Sequence, residues 1–297
     1  MSGGRAGPRI GLSGFEAYCA ELNALAAFDG RLVCLATTVG RHAGHPFERA
    51  HPERFFALSG VSSAMVEVVR GLVAAGFRPF VCTGPGRTPA ALRARYLAAG
   101  AHVVAPAAGL LDDDPVLRNL GGVTLAEPCG DAETRAVIRA AAAVDRPFHI
   151  EVGGTPRSYW PRPDQGSGAA LPPLVWESTG VGESAVCLVS VGDYGTGVAR
   201  AARAAAPWLA HAHLVYRDDE QLKAAAGELA LRRGGFVVTG VRPTAGGVPD
   251  LLAGLLPGRT VTAVTGGAPR YGSGASADVE AVLRTAKGLW WGVGGAG

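Results

Sequence analysis

The run HPERFFALSGVSSAMVEVVRGLVAAGFRPFVCT, His51 to Thr83, constrains this chain more than any other segment. FFAL (55–58) is a short apolar strand, and a tight turn follows it. Val61 to Ala75 repeats apolar residues at helical spacing and ends at Gly76, a residue that stops a helix at little steric cost. RPFVCT (78–83) then forms a second strand with no polar alternation. A strand covered on both faces reads as a continuous apolar run, so these strands belong in a parallel sheet flanked by helices.

The same grammar extends in both directions. Ser13 is a plausible N-cap for an amphipathic helix over FEAYCAELNALAAF, and RLVCLAT (31–37) is a buried strand. A helix opened by Thr88 and closed at Gly100 leads to strand 102–106. Strand 123–127, helix 131–143 and strand 148–152 follow. Residues 153–182 are rich in Gly and Pro without a sustained period and read as a linker. A second α/β unit starts at 183, with strands 185–191, 211–216, 235–240 and 260–264. Its helices fall near 193–206, 219–231 and 247–256, with a last one from about Ser276 to Ala286. The expected fold class is α/β. It comprises a disordered 1–12, a domain over 13–152, the linker, and a domain over 183–297, each domain a mostly parallel sheet with helices on both faces.

Composition excludes several function classes. Hydrophobic residues are 48% of the 297, charged residues 18%, and the net charge is +3, which describes a compact chain. The basic residues are scattered, with no stripe interleaved with aromatics, so nucleic acid is not an expected partner. No apolar run reaches the ~18 residues of a membrane span, and MSGGRAGPRI lacks a signal-peptide core. Cys19, Cys34, Cys82, Cys129 and Cys187 are widely spaced with no CxxC pair. They read as buried reduced thiols of a cytoplasmic protein.

HPERFF, GLVAAGFRPFV, the DDDPVLRNLGGVTLAEP stretch with its DAETRAVIRAA helix, and TAGGV and PRYG further on carry a resemblance. The chain resembles the C-terminal half of transketolase, a pyrimidine-binding domain followed by the transketolase C-terminal domain, over about 20–152 and 183–287. Deoxyxylulose-phosphate synthase and the β subunits of ketoacid dehydrogenases share that half. The resemblance implies thiamine diphosphate chemistry with Mg²⁺. No GDG with its following Asn occurs here, so a separate diphosphate-binding polypeptide is the expected partner, as in split transketolases, with two copies of each chain.

The resemblance also assigns positions, and several depart from the family's pattern. The glutamate that acts on N1′ of the aminopyrimidine falls at Ser62, whose hydroxyl can hydrogen-bond but cannot share a proton near neutral pH. Glu67 lies about 140° further round the helix and reads as a solvated charge. The acidic loop after the first strand falls on Leu35 to Thr38, with no carboxylate. The stacking aromatics fall on Gly84 to Arg87, with no ring. The segment carrying a substrate histidine is missing, and the acid-acid-His turn of the second domain falls near Gly240, Val241 and Arg242. The site so implied comprises Ser62 as the catalytic position, Ser59, Ser62, Ser63, Gly84 and Arg87 toward the cofactor, and Arg157 and Arg242 toward a small or carrier-bound substrate. Two readings follow: a specialised enzyme moving a short ketol or acyl unit, and a catalytically silent subunit that completes a partner.

Other signals carry less. Gly192, Gly195 and Gly197, with Asp218 and Asp219 further on, imitate a dinucleotide fingerprint at irregular spacing. His42, His45 and His51 share one segment without a supporting cysteine or carboxylate cluster, and no metal is expected of them. His211 and His213 alternate on one strand and read as structural; Asp112–Asp114 reads as helix N-terminal charge.

Overall fold

The computed structural model describes residues 9–37, 45–57, 63–83, 88–107, 115–154, 158–159, 171–180, 186–232, 234–241, 245–264 and 275–294. The elements in chain order begin with β1 (Arg9–Ile10), α1 (Gly14–Ala26), β2 (Leu32–Ala36), α2 (Pro46–Ala50), β3 (Phe55–Ala57) and α3 (Ser63–Ala74). Then come β4 (Arg78–Cys82), α4 (Ala90–Ala98), β5 (His102–Ala107), α5 (Pro115–Arg118), β6 (Thr124–Ala126), α6 (Gly130–Ala143) and β7 (Phe148–Gly153). The remainder is β8 (Ser158–Tyr159), β9 (Leu174–Ser178), β10 (Val186–Val191), α7 (Gly192–Ala205), β11 (Ala210–Leu214), α8 (Asp219–Ala230), β12 (Gly235–Thr239), α9 (Val248–Leu255), β13 (Val261–Ala263) and α10 (Ala275–Gly294).

The chain divides into two compact units, residues 1–106 with 128–171, and residues 107–127 with 172–297. In the first unit the strands lie in the order β3-β2-β4-β5-β7. β2 pairs in parallel with β3 and β4, and β4 with β5. Every residue of β2 is buried, as its unbroken apolar sequence requires of a central strand. Ser13 caps α1 as expected: its hydroxyl accepts from the Glu16 N–H at 3.2 Å, and its own N–H donates to the Glu16 carboxylate at 2.8 Å. One face of α1 buries Tyr18 and Leu22. Its Glu21 accepts from Arg135 at 3.1 Å and Arg139 at 2.8 Å, both on α6.

In the second unit the order is β13-β12-β10-β11-β9, parallel except for β9, which runs antiparallel to β11 at the edge. Alternate residues of β10 feed two apolar clusters on opposite faces. Cys187, Val189 and Val191 pack with Leu214, Leu222 and Phe236, while Val186 and Leu188 pack with Ala199, Val237 and Val282. Two α/β units with mostly parallel sheets are therefore the fold class, as the apolar runs imply.

Four details differ from the sequence expectation. Arg9–Ile10, placed in a disordered terminus, pairs antiparallel with Ser158–Tyr159. Leu174–Ser178, placed in the linker, is β9. It follows Pro172-Pro173 and shows no period of its own, and the partner that holds it, β11, lies far along the chain. Residues 107–127, expected in the first domain, fall in the second unit, where Arg217 N–H donates to the Leu125 carbonyl at 2.9 Å and Glu127 N–H to that of Val215 at 2.7 Å. The last helix runs on to Gly294. Its glycines are weak helix formers, but Leu289 covers Gly235 and the Trp290 ring meets that of Trp208 at 5.0 Å, which packs the tail on its own unit.

Two local constraints are severe. Gly240, at φ +94°, follows β12 so closely under the start of α7 that a Cβ there would meet the Val191 carbonyl oxygen at 2.2 Å. A Cβ on Gly195 of α7 would meet the Thr239 oxygen at 2.5 Å. Nearby, Glu127 and Arg217, 1% and 3% exposed, form an ion pair at 2.5 Å. Gly240→Ala combines a left-handed backbone with an unrelievable backbone overlap and is expected to cost about 3 kcal/mol or more, read as a lowered denaturant midpoint. Arg217→Met removes the cation facing a buried carboxylate and is expected to cost about 3–5 kcal/mol in the same measurement. A change within experimental error would show that Glu127 is buried at no cost.

Candidate functional site

In parallel sheets all strands end on one edge, and the loops leaving that edge form the site. In the first unit Ala57, Ala36, Cys82 and Val104 stand in register across β3, β2, β4 and β5. One residue further, Thr37 donates its N–H to the Cys82 carbonyl at 3.2 Å, and Thr83 donates its N–H to that of Val104 at 2.9 Å. The Thr83 hydroxyl folds back on the same Val104 carbonyl at 3.3 Å. Both threonines are buried and close the strand ends.

β2 is flanked by β3 on one side and β4 on the other: the chain passes from β2 outward to β3, and from β4 in the opposite direction to β5. That is a topological switch point, the place where open α/β sheets bind ligands. Ser59 and Ser62 follow β3 in the chain, and Gly84 and Arg87 follow β4. All four lie outside the described residues, as do Arg157 and Arg242. Of Ser63 the backbone is described, as the first residue of α3. What the fold contributes is adjacency: the segments carrying these residues leave from strands on either side of β2.

The chemistry of this edge is defined by what its sequence holds. Strands β2, β3 and β4, Thr37 and Thr83, and residues 38–44, 58–62 and 84–87 include no aspartate or glutamate. The formal charges in these stretches of sequence are Arg41 and Arg87, beyond Arg78 at the far end of β4. Glu67 does not compensate: its side chain is 63% exposed and pairs with Arg70 at 3.3 Å, the solvated charge expected of it. Beneath the edge, α1 sets Tyr18 OH 3.6 Å from Cys34 Sγ, and Cys19 Sγ 3.7 Å from His45 Nε2. Burial pushes the Cys19 and Cys34 thiols up to about 12, and the Cys82 thiol well above its ordinary value. They stay protonated and act as small apolar groups. All five cysteines are free and buried, as read from their wide spacing and the lack of a CxxC pair. His45 Nδ1 accepts from the Phe47 N–H at 3.1 Å and its ring stacks on Phe55, so it caps α2. Among the described residues no group of His, Cys, Asp and Glu could hold a metal ion.

The second unit holds a denser polar cluster, which reading along the chain missed. His211 and His213 of β11 point to one face, because strand side chains alternate. There they meet Ser190 of β10 and Thr196 of α7, and all four residues are fully buried. Ser190 Oγ lies 2.8 Å from His211 Nε2 and 3.0 Å from Thr196 Oγ1. Thr196 Oγ1 lies 3.0 Å from His213 Nδ1, and His213 Nε2 lies 2.9 Å from the Glu127 carbonyl oxygen. At the other end His211 Nδ1 faces Glu177 Oε2 at 3.4 Å. Burial raises the Glu177 carboxyl, but hydrogen bonds from Arg200 at 2.5 and 2.8 Å outweigh it and, with His211, hold it well below the usual carboxylate range. The Glu177–His211–Ser190 order has the residue types of a hydrolytic triad, yet with zero exposure the serine reaches no substrate. The signal for this cluster was two histidines two residues apart on an apolar strand, opposite a lone serine on the next.

Two glycines of GDYGTG, Gly192 and Gly195, find their explanation here too. Gly195 and Gly240 permit α7 to start against the end of β12, and Gly192, at φ +63°, makes the turn into the helix. Packing alone accounts for these positions without a dinucleotide.

No protein-family model matches the chain, and no curated protein matches it. Solved structures do. A chain described as a split-gene transketolase, inactive β4 tetramer, is 23% identical with a TM-score of 0.71, the match covering 94% of this chain and 99% of that one. Transketolase from Leishmania mexicana is 15% identical with a TM-score of 0.68, the match covering 96% of this chain and 46% of that one. The chain thus spans less than half the length of that transketolase. At these identities the likeness is one of fold, and the fold is that of the C-terminal half of transketolase.

Proposed function

We propose that this chain is the C-terminal subunit of a two-component transketolase-like enzyme, working with a separate polypeptide that holds thiamine diphosphate and Mg²⁺. The observation that carries the reading is the match to a split-gene transketolase chain over nearly the whole length of both. The proposed activity of the assembled pair is transfer of a short ketol or acyl unit, in specialised metabolism. The proposed location is the cytoplasm, where five buried free thiols stay reduced. No helix among the described residues is long and apolar enough to cross a membrane.

Activation of the aminopyrimidine calls for a carboxylate at N1′. The edge around β2, with its loops, has none, so the residues present do not fit that role. Ser62 stands at the corresponding position. With Ser59, Ser63, Gly84 and Arg87 it forms the proposed cofactor-facing set, and its hydroxyl supplies a hydrogen bond but no titrating group. Arg157 and Arg242 are proposed to meet the substrate, and two cations suit an anionic or carrier-bound one. The same missing carboxylate favours a second reading, a catalytically silent subunit that completes its partner.

Isothermal titration distinguishes the split assembly from a self-sufficient enzyme. The isolated chain is expected to bind no thiamine diphosphate, and to co-purify with a diphosphate-binding half when the two are co-expressed. Tight cofactor binding by the chain alone overturns the two-component reading. Within the complex, Ser62→Ala is expected to lower turnover about tenfold if the hydroxyl bonds the cofactor in the transition state. Unchanged turnover in both Ser62→Ala and Ser62→Glu would assign the chain to the silent class.

A further inference from the structure

The buried polar chain of the second unit has a proton count that its geometry makes legible. Five contacts run in series: Glu177 to His211, His211 to Ser190, Ser190 to Thr196, Thr196 to His213, and His213 to the Glu127 carbonyl. Both ends, a carboxylate and a carbonyl oxygen, can only accept. The four groups between them are two neutral imidazoles and two hydroxyls, and each carries one hydrogen. Four hydrogens cannot fill five contacts, so one contact stands without a proton.

The distances say which one. Starting from the Glu127 end, His213 Nε2–H donates to the carbonyl at 2.9 Å, which leaves Nδ1 as an acceptor. The Thr196 hydroxyl donates to it at 3.0 Å, the Ser190 hydroxyl donates to Thr196 at 3.0 Å, and His211 Nε2–H donates to Ser190 at 2.8 Å. All four are of ordinary hydrogen-bond length. The fifth contact, His211 Nδ1 to Glu177, is the longest at 3.4 Å. Running the chain the other way would set two lone pairs against each other at 2.9 Å between His213 Nε2 and the Glu127 carbonyl. His213 Nδ1 also lies 3.2 Å from the Ser190 carbonyl, a longer contact that only this reversed order would use.

We propose that His211 Nδ1 is a built-in proton-binding site of the second unit: on acidification it takes one proton, completes the chain, and closes a charged bond from β11 to Glu177 on the edge strand β9. The groups facing His211 are Glu177 of β9, Arg200 of α7, His213 of its own strand, Ser190 of β10 and, through it, Thr196 of α7. They set the threshold. Burial lowers the affinity of His211 for a proton below the ordinary histidine range, Glu177 opposes this in part, and His213 and Arg200 reinforce it. The site is therefore empty at neutral pH and fills below the usual histidine value. A histidine depressed in the folded state contributes stability that is full above the unfolded value near 6.5. That contribution is lost as pH falls through the folded value. The bond to Glu177 therefore closes as the second unit loses stability, and β9 is the strand that it fastens.

Histidine-selective ¹⁵N spectroscopy of the full-length chain tests the assignment without any substitution. At neutral pH both His211 and His213 are expected as Nε2–H tautomers. On acidification His211 is expected to gain an Nδ1–H with a strongly downfield proton, while His213 keeps its tautomer. An Nδ1–H tautomer on either histidine at neutral pH, or a first proton taken by His213, overturns the proposal. Ser190→Ala removes the acceptor of His211 Nε2–H and is expected to flip His211 to the Nδ1–H tautomer, bonded to Glu177 before any acid is added. Ser190→Thr restores the hydroxyl and is expected to restore the wild-type tautomer. An unchanged His211 spectrum in a folded Ser190→Ala protein would also overturn it.

Discussion

The pairing of β2 with β3 on one side and β4 on the other governs what the first unit can do. Parallel pairing makes every strand end on the same edge and obliges each connection to cross back over a face of the sheet. Burial of all five residues of β2 follows, because crossovers cover both faces. So does the adjacency of the ends of β3 and β4 to the end of β2 on either side. The location of a site is thus a property of the strand order, while its chemistry is left to loops that contribute little to holding the sheet together.

The second unit meets the same geometry with a different solution. Its loops start so close to the strand ends that Gly195 and Gly240 leave no room for a side chain, and the polar groups are drawn inward instead. Glu127 and Glu177 are carboxylates taken almost wholly out of water, and each faces an arginine fork, Arg217 and Arg200. Glu21 of the first unit repeats the device with Arg135 and Arg139. A planar guanidinium satisfies both oxygens of a carboxylate and keeps its charge when buried, which lysine does poorly. A chain that buries its acids in this way has reason to spend its cations on arginine, and only two of its 28 basic residues, Lys223 and Lys287, are lysine.

How much of this was legible in the sequence depended on how local the cause is. β2, β4 and β10 could be read because burial on both faces writes an unbroken apolar run. The start of α1 could be read because Ser13 and Glu16 satisfy each other within one turn. β9 could not: Leu174–Ser178 is a strand only because β11 offers it an edge, and nothing in five residues after a Pro-Pro pair says so. Arg9–Ile10 and the last turns of α10 were lost for the same reason, being held by Tyr159 and by Trp208 rather than by their own propensity. The candidate residues of the first unit, Ser62 among them, were placed by resemblance. The strand order supports the edge from which their segments leave, and the positions themselves lie outside the described residues.

The buried histidines illustrate the opposite limit. His211 and His213 stand out in the sequence only as an alternating pair and Ser190 and Thr196 not at all, because their relation exists only across β10, β11 and α7. Yet once assembled they obey a count that admits little freedom, because hydroxyls and neutral imidazoles have one hydrogen each and the two ends have none. Leaving one contact of a buried network unfilled costs stability that an apolar core would not lose. The same pairing logic that lets Glu177 be buried against Arg200 also holds it ionised. A carboxylate held ionised therefore stands opposite His211 Nδ1, the imidazole nitrogen to which no hydrogen is donated. In the first unit strands β2, β3 and β4 and the segments that follow them carry no aspartate or glutamate; in the second, the serine and the two histidines of the polar chain are fully buried.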